Sequence, residues 1–170
     1  NSWGLNKNQY DGPATTLAER GYVVIAYATR GFGGSGGTVK VAGDDDIKDV
    51  STIIDWLLDN TRANPEKIAS VGISYGGGES LIASAKDDRI RSVIAMSSWT
   101  NLEYSLYPNE TLNKIWIEFL IAMGRITGNL DPKVLSIYRN AKKRRDIAEL
   151  RRWAKKRSAM TYIDDINQNQ

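Results

Sequence analysis

The first 98 residues alternate short apolar runs with amphipathic stretches, and this alternation restricts the possible folds more than any other feature of the sequence. The apolar runs are too short for buried helices and rich in β-branched side chains, which is typical of buried strands. The predicted strands are residues 22–28, 68–73 and 89–96. The helical spacing of apolar residues predicts helices over 13–20, 44–60 and 76–86. Because strands that alternate with helices pair in parallel, we expect an α/β fold with a doubly wound, mostly parallel sheet.

Residues 99–157 differ in character, since tryptophan, tyrosine and aliphatic residues recur there at helical spacing over 112–126 and 134–156. We interpret this region as a helical cap inserted after a core domain that covers residues 1–98. Residues 158–170 are then a return segment towards a later part of the core outside these 170 residues. In parallel sheets ligands bind beyond the carboxyl ends of the strands, so the search for a site begins there.

The sequence contains neither cysteine nor histidine. The missing cysteine excludes disulfides, a thiol nucleophile and thiolate metal ligands, and the missing histidine removes the commonest acid–base group at neutral pH. No cluster has the spacing of a metal site, so we predict neither a metal nor a cofactor. No apolar run approaches the roughly 20 residues of a membrane span. The sequence does not indicate a compartment or an oligomeric state.

Positive charge is concentrated near the end of the chain, where residues 139–170 contain ten basic and four acidic groups. Such a cluster is compatible with nucleic-acid or anionic-membrane binding. The alternative is a solvated helix face whose buried stripe is Ile147, Leu150 and Trp153. We favour that alternative and predict no nucleic-acid partner, because no aromatic platform is interleaved with the charges.

The segment Gly72-Ile-Ser-Tyr-Gly76 has the form G-x-S-x-G and lies between a predicted strand and a predicted helix. This context is the one that a nucleophile elbow requires, in which Ser74 occupies a strained turn and neighbouring glycines permit close backbone approach. The helix that follows points free N–H groups at the serine oxygen. The alternative is that Ser74 merely caps a helix. We also considered paired carboxylates as an acid–base pair, but 44–46 fits a helix cap and 87–88 belongs at the opposite end of the sheet.

A glycine-rich loop, Gly31-Phe-Gly-Gly-Ser-Gly36, follows the first predicted strand and has the form G-x-G-x-x-G. A dinucleotide site needs a helix that opens at the third glycine, whereas here no helix is predicted before Asp44. The loop therefore does not predict a nicotinamide cofactor. We expect it to pack beside the active site.

Three strings, Arg30 to Gly37, Gly72 to Gly77 and Ser97 to Trp99, resemble the Xaa-Pro dipeptidyl-peptidase and cocaine-esterase group of α/β-hydrolases (peptidase family S15, CocE/NonD hydrolases). The resemblance extends over essentially the whole chain and implies an incomplete α/β-hydrolase fold with a cap. It assigns the acyl nucleophile to Ser74 and the elbow to Gly72, Gly76 and Gly77. Two positions depart from the family pattern: Trp3 stands where a tyrosine is usual, and Ala28 where an aspartate is usual.

The resemblance also implies the rest of the site. In this fold the oxyanion hole takes one N–H from the residue after the serine, here Tyr75, and one from an earlier loop, here at Trp3 through its indole or its backbone. Trp99, Tyr104 and Tyr107 follow the last predicted strand and are our candidates for the wall of the substrate pocket.

The catalytic aspartate and histidine of this fold follow later strands, and we expect both to lie outside these 170 residues. The expected function is a serine hydrolase that acts on an ester or a peptide, including an Xaa-Pro peptide. The alternatives are a non-catalytic α/β-hydrolase-like binding module and, less favoured, a basic nucleic-acid binder.

Overall fold

The computed structural model describes residues 1–169 of the chain, with side chains as far as Ile166. At its centre are two parallel strands, β1 (Ile68–Ile73) and β2 (Ile90–Met96), which the helix α3 (Tyr75–Ser84) connects. The register joins Ile73 to Met96, so both strands end at the same edge of the sheet. The structure is therefore a mixed α/β fold, and within the described residues its sheet has two strands.

The segment 22–28 was expected to be a strand, and this prediction is wrong for the described residues: the segment is extended but belongs to no ladder. A strand is held by backbone hydrogen bonds to a neighbouring strand, and the described residues place none beside it. The Asn1 side chain accepts a hydrogen bond from the Thr29 N–H at 2.7 Å, just beyond this segment. Tyr22, at the start of the segment, is 64% exposed.

Helices α1 (Asp11–Glu19) and α2 (Asp44–Asn60) agree with the predicted positions. Helix α2 begins at three consecutive aspartates, where negative charge interacts favourably with the helix N-terminus. The Asp46 carboxylate accepts a hydrogen bond from the Gly43 N–H at 2.8 Å and caps the helix. The buried stripe of α2 packs in a hydrophobic cluster with α3 and the sheet. The members from α2 are Ile47, Val50 and Ile54.

The region predicted as a cap is helical, with α4 (Leu102–Leu106), α5 (Lys114–Thr127), α6 (Pro132–Lys142) and α7 (Ile147–Lys155). The stretch of helical spacing over 134–156 forms two helices, because the chain breaks between α6 and α7. Arg144 and Asp146 adopt φ values of 54° and 50°, which end one helix and begin the next.

The final described element is α8 (Ile163–Asn169), which lies in the predicted return segment. Its Ile166 is buried in the cluster that α2 and α3 form. Gln170, the last residue of that segment, lies outside the described residues. Every helix between residues 1 and 169 is too short or too polar to cross a membrane.

The helix α7 in the basic region 139–170 has a buried apolar stripe. Leu150 is buried in a second hydrophobic cluster, which the helices α4 to α7 form with Phe32 and Tyr75, and Ile147 and Trp153 pack partly buried against it. Two of the basic side chains form ion pairs with acidic residues of the helices α5 and α4, Lys142 with Glu118 and Arg151 with Glu103.

Candidate active site

Ser74 lies between the end of β1 and the first turn of α3, at the carboxyl edge of the sheet. Its backbone angles are φ 54° and ψ −111°, a region that side-chain-bearing residues rarely occupy. The Ser74 N–H donates to the Met96 carbonyl at 2.8 Å, which continues the β1–β2 pairing by one residue. Strain of this kind persists where the surrounding structure imposes it, and it is concentrated at functional sites.

The turn around Ser74 depends on close contact between two glycines. A Cβ atom placed on Gly72 would lie 2.1 Å from the carbonyl carbon and oxygen of Gly76 and 2.4 Å from the Gly77 nitrogen. A Cβ on Gly77 would lie 2.9 Å from the Ser98 Cβ. The backbone thus passes over itself at a distance that only glycine permits. The strand-turn-helix context that the sequence predicts is present here.

Helix α3 begins at Tyr75, and its first N–H groups are those that an α-helix leaves without an intrahelical partner. The Tyr75 N–H is therefore free to donate to an anion formed beside Ser74. The Tyr75 ring is 1% exposed and packs edge-on against Trp3 and Phe32, with centroids 5.3 and 5.8 Å away. Its phenol oxygen accepts from the Ala42 N–H at 3.2 Å. These contacts fix the residue that follows the serine.

Trp3 lies on the wall of the same cavity as Ser74. Its indole N–H donates to the Leu120 carbonyl of α5 at 2.8 Å, so this donor is already used. Within residues 1–169 the backbone N–H of Trp3 donates to no partner. The sequence offered two hydrogen-bond donors at Trp3, the indole and the backbone N–H. Because the indole already donates to Leu120, only the backbone N–H is available as a donor to the oxyanion hole.

The glycine-rich loop packs beside this site as expected. Phe32, in the middle of the loop, is fully buried and contacts the rings of both Trp3 and Tyr75. Arg30 makes a two-pronged ion pair with Asp49 of α2, at 2.8 and 2.6 Å, which anchors the start of the loop.

A cavity of about 250 Å³ opens beside Ser74, between the carboxyl edge of the sheet and the helices α4 to α7. Four serines line it, three of them close to the elbow: Ser74, Ser97, Ser98 and Ser105. The remainder of the wall is aromatic and aliphatic. The aromatic members are Trp3, Tyr75, Trp99, Trp116, Tyr138 and Trp153.

The three aromatic residues predicted for the pocket wall differ in position. Trp99 lines the cavity, and its indole N–H donates to the Arg157 carbonyl at 2.7 Å. Tyr104 is 64% exposed, and neither it nor Tyr107 lines the cavity. In the short helix α4, Leu102 and Leu106 point inward, so Tyr104, halfway between them, faces solvent.

Sequence reasoning missed the wall residues that the helices α5, α6 and α7 contribute, above all Trp116, Tyr138 and Trp153. A usable signal was present in α5, which carries apolar residues around most of its circumference rather than along one stripe. Such a helix needs an apolar environment on more than one side. The distances between these helices, however, are set by tertiary packing.

Two buried carboxyl groups lie behind the elbow. Glu79 of α3 is 2% exposed, and burial together with the nearby Asp46 raises its pKa to about 8. Burial also raises the pKa of Asp46 to about 6, while the hydrogen bond from Gly43 opposes that shift. Neither side chain lines the cavity, so neither is placed to act on a substrate there.

The sequence contains no histidine that could take the proton of the Ser74 hydroxyl, and the described side chains form no cluster that could hold a metal ion. Asp87 lies before β2, at the end of the sheet opposite Ser74, where it pairs with Arg89 at 2.6 Å. The arrangement therefore presents a serine and N–H donors, without a general base.

Known proteins with similar sequences cover only part of this chain. The uncharacterized protein PA2218 of Pseudomonas aeruginosa is 34% identical over 100 residues, which are 57% of this chain and 27% of that protein. The quorum-quenching protein AidA of Acinetobacter baumannii is 27% identical over 123 residues, 67% of this chain and 40% of that protein. The chain thus spans well under half the length of these relatives.

A solved structure has the same fold. The crystal structure of hypothetical protein PA2218 superimposes with a TM-score of 0.55 at 25% identity, over 85% of this chain and 44% of that one. The family comparison extends further along the sequence than either relative. Residues 2–170 match Peptidase S15, described as X-Pro dipeptidyl-peptidase (S15 family), and the chain therefore belongs to this hydrolase family.

Proposed function

We propose that the chain carries the nucleophile of a serine hydrolase that acts on an acyl ester or peptide. The observation that carries the proposal is the position of Ser74, at positive φ between β1 and α3 and on the wall of a cavity. In this role the Ser74 oxygen attacks the acyl carbonyl and gives its proton to a base, and the alcohol or amine of the substrate leaves with a proton. Water then releases the acyl group from the serine as a carboxylic acid.

The proposed oxyanion hole consists of the Tyr75 N–H and the Trp3 backbone N–H. Both residues border the cavity with Ser74, and Tyr75 stands at the positive end of α3, where negative charge is stabilised. The contacts of the Tyr75 ring with Trp3 and Phe32 hold the donors in place without reorganisation during the reaction.

The catalytic aspartate and histidine belong, in this proposal, to residues outside the present 170, together with further strands of a doubly wound α/β-hydrolase sheet. Residues 1–98 then form the core with the elbow, and 99–157 form the cap over the cavity. A polyketide transferase of Penicillium sp. is also similar to this chain, with 28% identity over 86 residues, which are 49% of this chain and 29% of that protein.

The nucleophile can be tested with an alkyl fluorophosphonate, which forms a bond from phosphorus to the serine oxygen as fluoride leaves. We expect intact-mass spectrometry to show one phosphonyl group per chain, mapped to Ser74, at a rate that rises when imidazole is added as an external base. Ser74→Ala should remove this modification. Ser98→Ala, which changes a neighbouring serine of the same cavity, should retain it. Modification mapped to Ser98 would overturn the assignment to Ser74, and modification of no serine would favour a non-catalytic binding module.

Because the sequence contains no histidine, the chain by itself should turn over esters poorly. We expect hydrolysis of a p-nitrophenyl ester to remain within the residual acceleration, about 10³–10⁴-fold over water, that binding and an oxyanion hole provide without a base. The release of p-nitrophenol measures this rate. A faster rate that Ser74→Ala abolishes would show that a base is present within these residues.

A further inference from the structure

The cavity beside Ser74 contains no charged side chain on its wall within the described residues. The Arg157 guanidinium lies behind the wall, 4.5 Å from the centroid of the Trp153 ring. The Glu118 carboxylate is connected to the wall through Tyr138. It accepts from the Tyr138 hydroxyl and pairs with Lys142 on the outer side of the cap.

Four of the six aromatic residues on the wall have their polar atoms hydrogen-bonded to other parts of the chain: Trp3, Tyr75, Trp99 and Tyr138. The indole N–H groups of Trp3 and Trp99 donate to the Leu120 and Arg157 carbonyls at 2.8 and 2.7 Å. The Tyr138 hydroxyl donates to Glu118 at 2.9 Å. These rings therefore present carbon to the interior, since their polar atoms are already used.

The serine hydroxyls of the wall lie mainly at the elbow end. Ser74, Ser97 and Ser98 are adjacent to the carboxyl ends of β1 and β2, whereas Ser105 lies on α4, and its hydroxyl donates to the Asn101 carbonyl at 3.0 Å. The cavity thus has one polar end, where the nucleophile is, and an apolar body formed by the cap.

The size of the apolar body limits the group that it can hold. A cavity of about 150 Å³ takes up benzene, so about 250 Å³ accommodates roughly ten non-hydrogen atoms. A phenyl ring joined to a carbonyl carbon by two methylene groups has this size.

We propose that this cavity binds the acyl part of the substrate as an uncharged, apolar group of roughly ten non-hydrogen atoms and rejects acyl groups that carry an ammonium. The inference rests on the proposed function, which places the acyl carbonyl at Ser74. It favours esters of apolar carboxylic acids over peptides with a free amino terminus. An ammonium in the cavity would lose its hydration without gaining a carboxylate partner, and Arg157 behind Trp153 would repel it.

The test compares two ligands that differ by one ammonium group, ethyl 3-phenylpropanoate and phenylalanine ethyl ester. Both are titrated into the Ser74→Ala chain, which binds without reaction, at about pH 6, where the amine is protonated. Four of the five tryptophans line the cavity, so intrinsic fluorescence reports binding. We expect the uncharged ester to bind at least about tenfold more tightly, a difference of about 1.4 kcal/mol. Alanyl-proline ethyl ester, a free-amine Xaa-Pro ligand, should bind no better than phenylalanine ethyl ester.

A pair of variants at Ser105 tests the cause of the selectivity. In the same Ser74→Ala background, Ser105→Asp places a carboxylate on the cavity wall and should bring the ratio of the two affinities close to one. Ser105→Asn has the same shape without the charge and should leave the ratio unchanged.

Each outcome has a definite meaning. Equal or tighter binding of phenylalanine ethyl ester, or no saturable fluorescence change with either ester, would overturn the inference. Failure of the fluorophosphonate reaction at Ser74, with the binding ratio intact, would instead overturn the proposed nucleophile and leave an apolar binding cavity. The two proposals are therefore tested separately.

Discussion

Gly72→Ala is expected to lower the free energy of unfolding by more than about 4 kcal/mol, because the added Cβ would lie 2.1 Å from the Gly76 backbone. Backbone atoms cannot move aside as the end of a flexible side chain can. To relieve the clash, the end of β1 and the start of α3 would have to separate, which removes the elbow. Urea denaturation followed by tryptophan fluorescence measures the loss.

Gly12→Ala is the matched control for this substitution. Gly12 lies in α1, has an ordinary φ, and has no atom within 4 Å of the position that a Cβ would take. Alanine there should leave the stability unchanged or raise it by up to about 1 kcal/mol. Similar losses for the two variants would show that the contact between Gly72 and Gly76 does not hold the elbow.

The second large effect concerns the buried Glu79. Its pKa is about 8 in the folded chain, against an ordinary value of 4.5, because the charged form loses hydration on burial and is repelled by Asp46. The folded state then binds more protons than the unfolded state between these two values. The free energy of unfolding should therefore fall as the pH rises from about 4.5 to about 8 and level off above.

Asp46 contributes in the same direction over a lower range, because its folded pKa of about 6 exceeds its ordinary value of 3.8. The combined result is a chain that is more stable at mildly acidic pH than at pH 8. Urea denaturation at a series of pH values would reveal this slope. A stability that rises from pH 5 to pH 8 would contradict the burial of these carboxyl groups.

Glu79→Gln separates the contribution of Glu79 to the pH dependence of stability from that of Asp46. Glutamine has the shape of the protonated acid but does not ionise. At pH 8 this variant should be more stable than the parent chain by about 3–4 kcal/mol, and at pH 5 the two should be nearly equal. Glu66→Gln changes an exposed glutamate and should leave the pH dependence as it is.

Much of the candidate site could be read from the sequence because it depends on local geometry. The G-x-S-x-G string between a strand and a helix predicted the turn at Ser74, and the glycines at 72 and 76 are close because their backbones cross. Which N–H of Trp3 is available to the site could not be predicted, because its indole donates to the carbonyl of Leu120, 117 residues away in the chain.

The limits of prediction are clearest where two segments with similar sequence signals behave differently. Residues 22–28 and 68–73 are both short apolar runs, yet only the second is a strand here, because only the second has a partner in β2. A strand forms through hydrogen bonds to another segment, so composition alone cannot establish it. Residues 134–156 similarly have one helical period, but positive φ values at Arg144 and Asp146 divide them into two helices.

By itself, the sequence determined the order of helices and strands around the elbow, the identity of the serine that it presents, and the absence of a histidine to act as its base. These follow from backbone preferences and residue chemistry over a few positions. Only the tertiary structure decided which side chains surround the serine. Trp116, Tyr138 and Trp153 meet Trp99 across helices that are distant in the chain, and packing between helices, rather than local periodicity, determines a cavity's size and lack of charge.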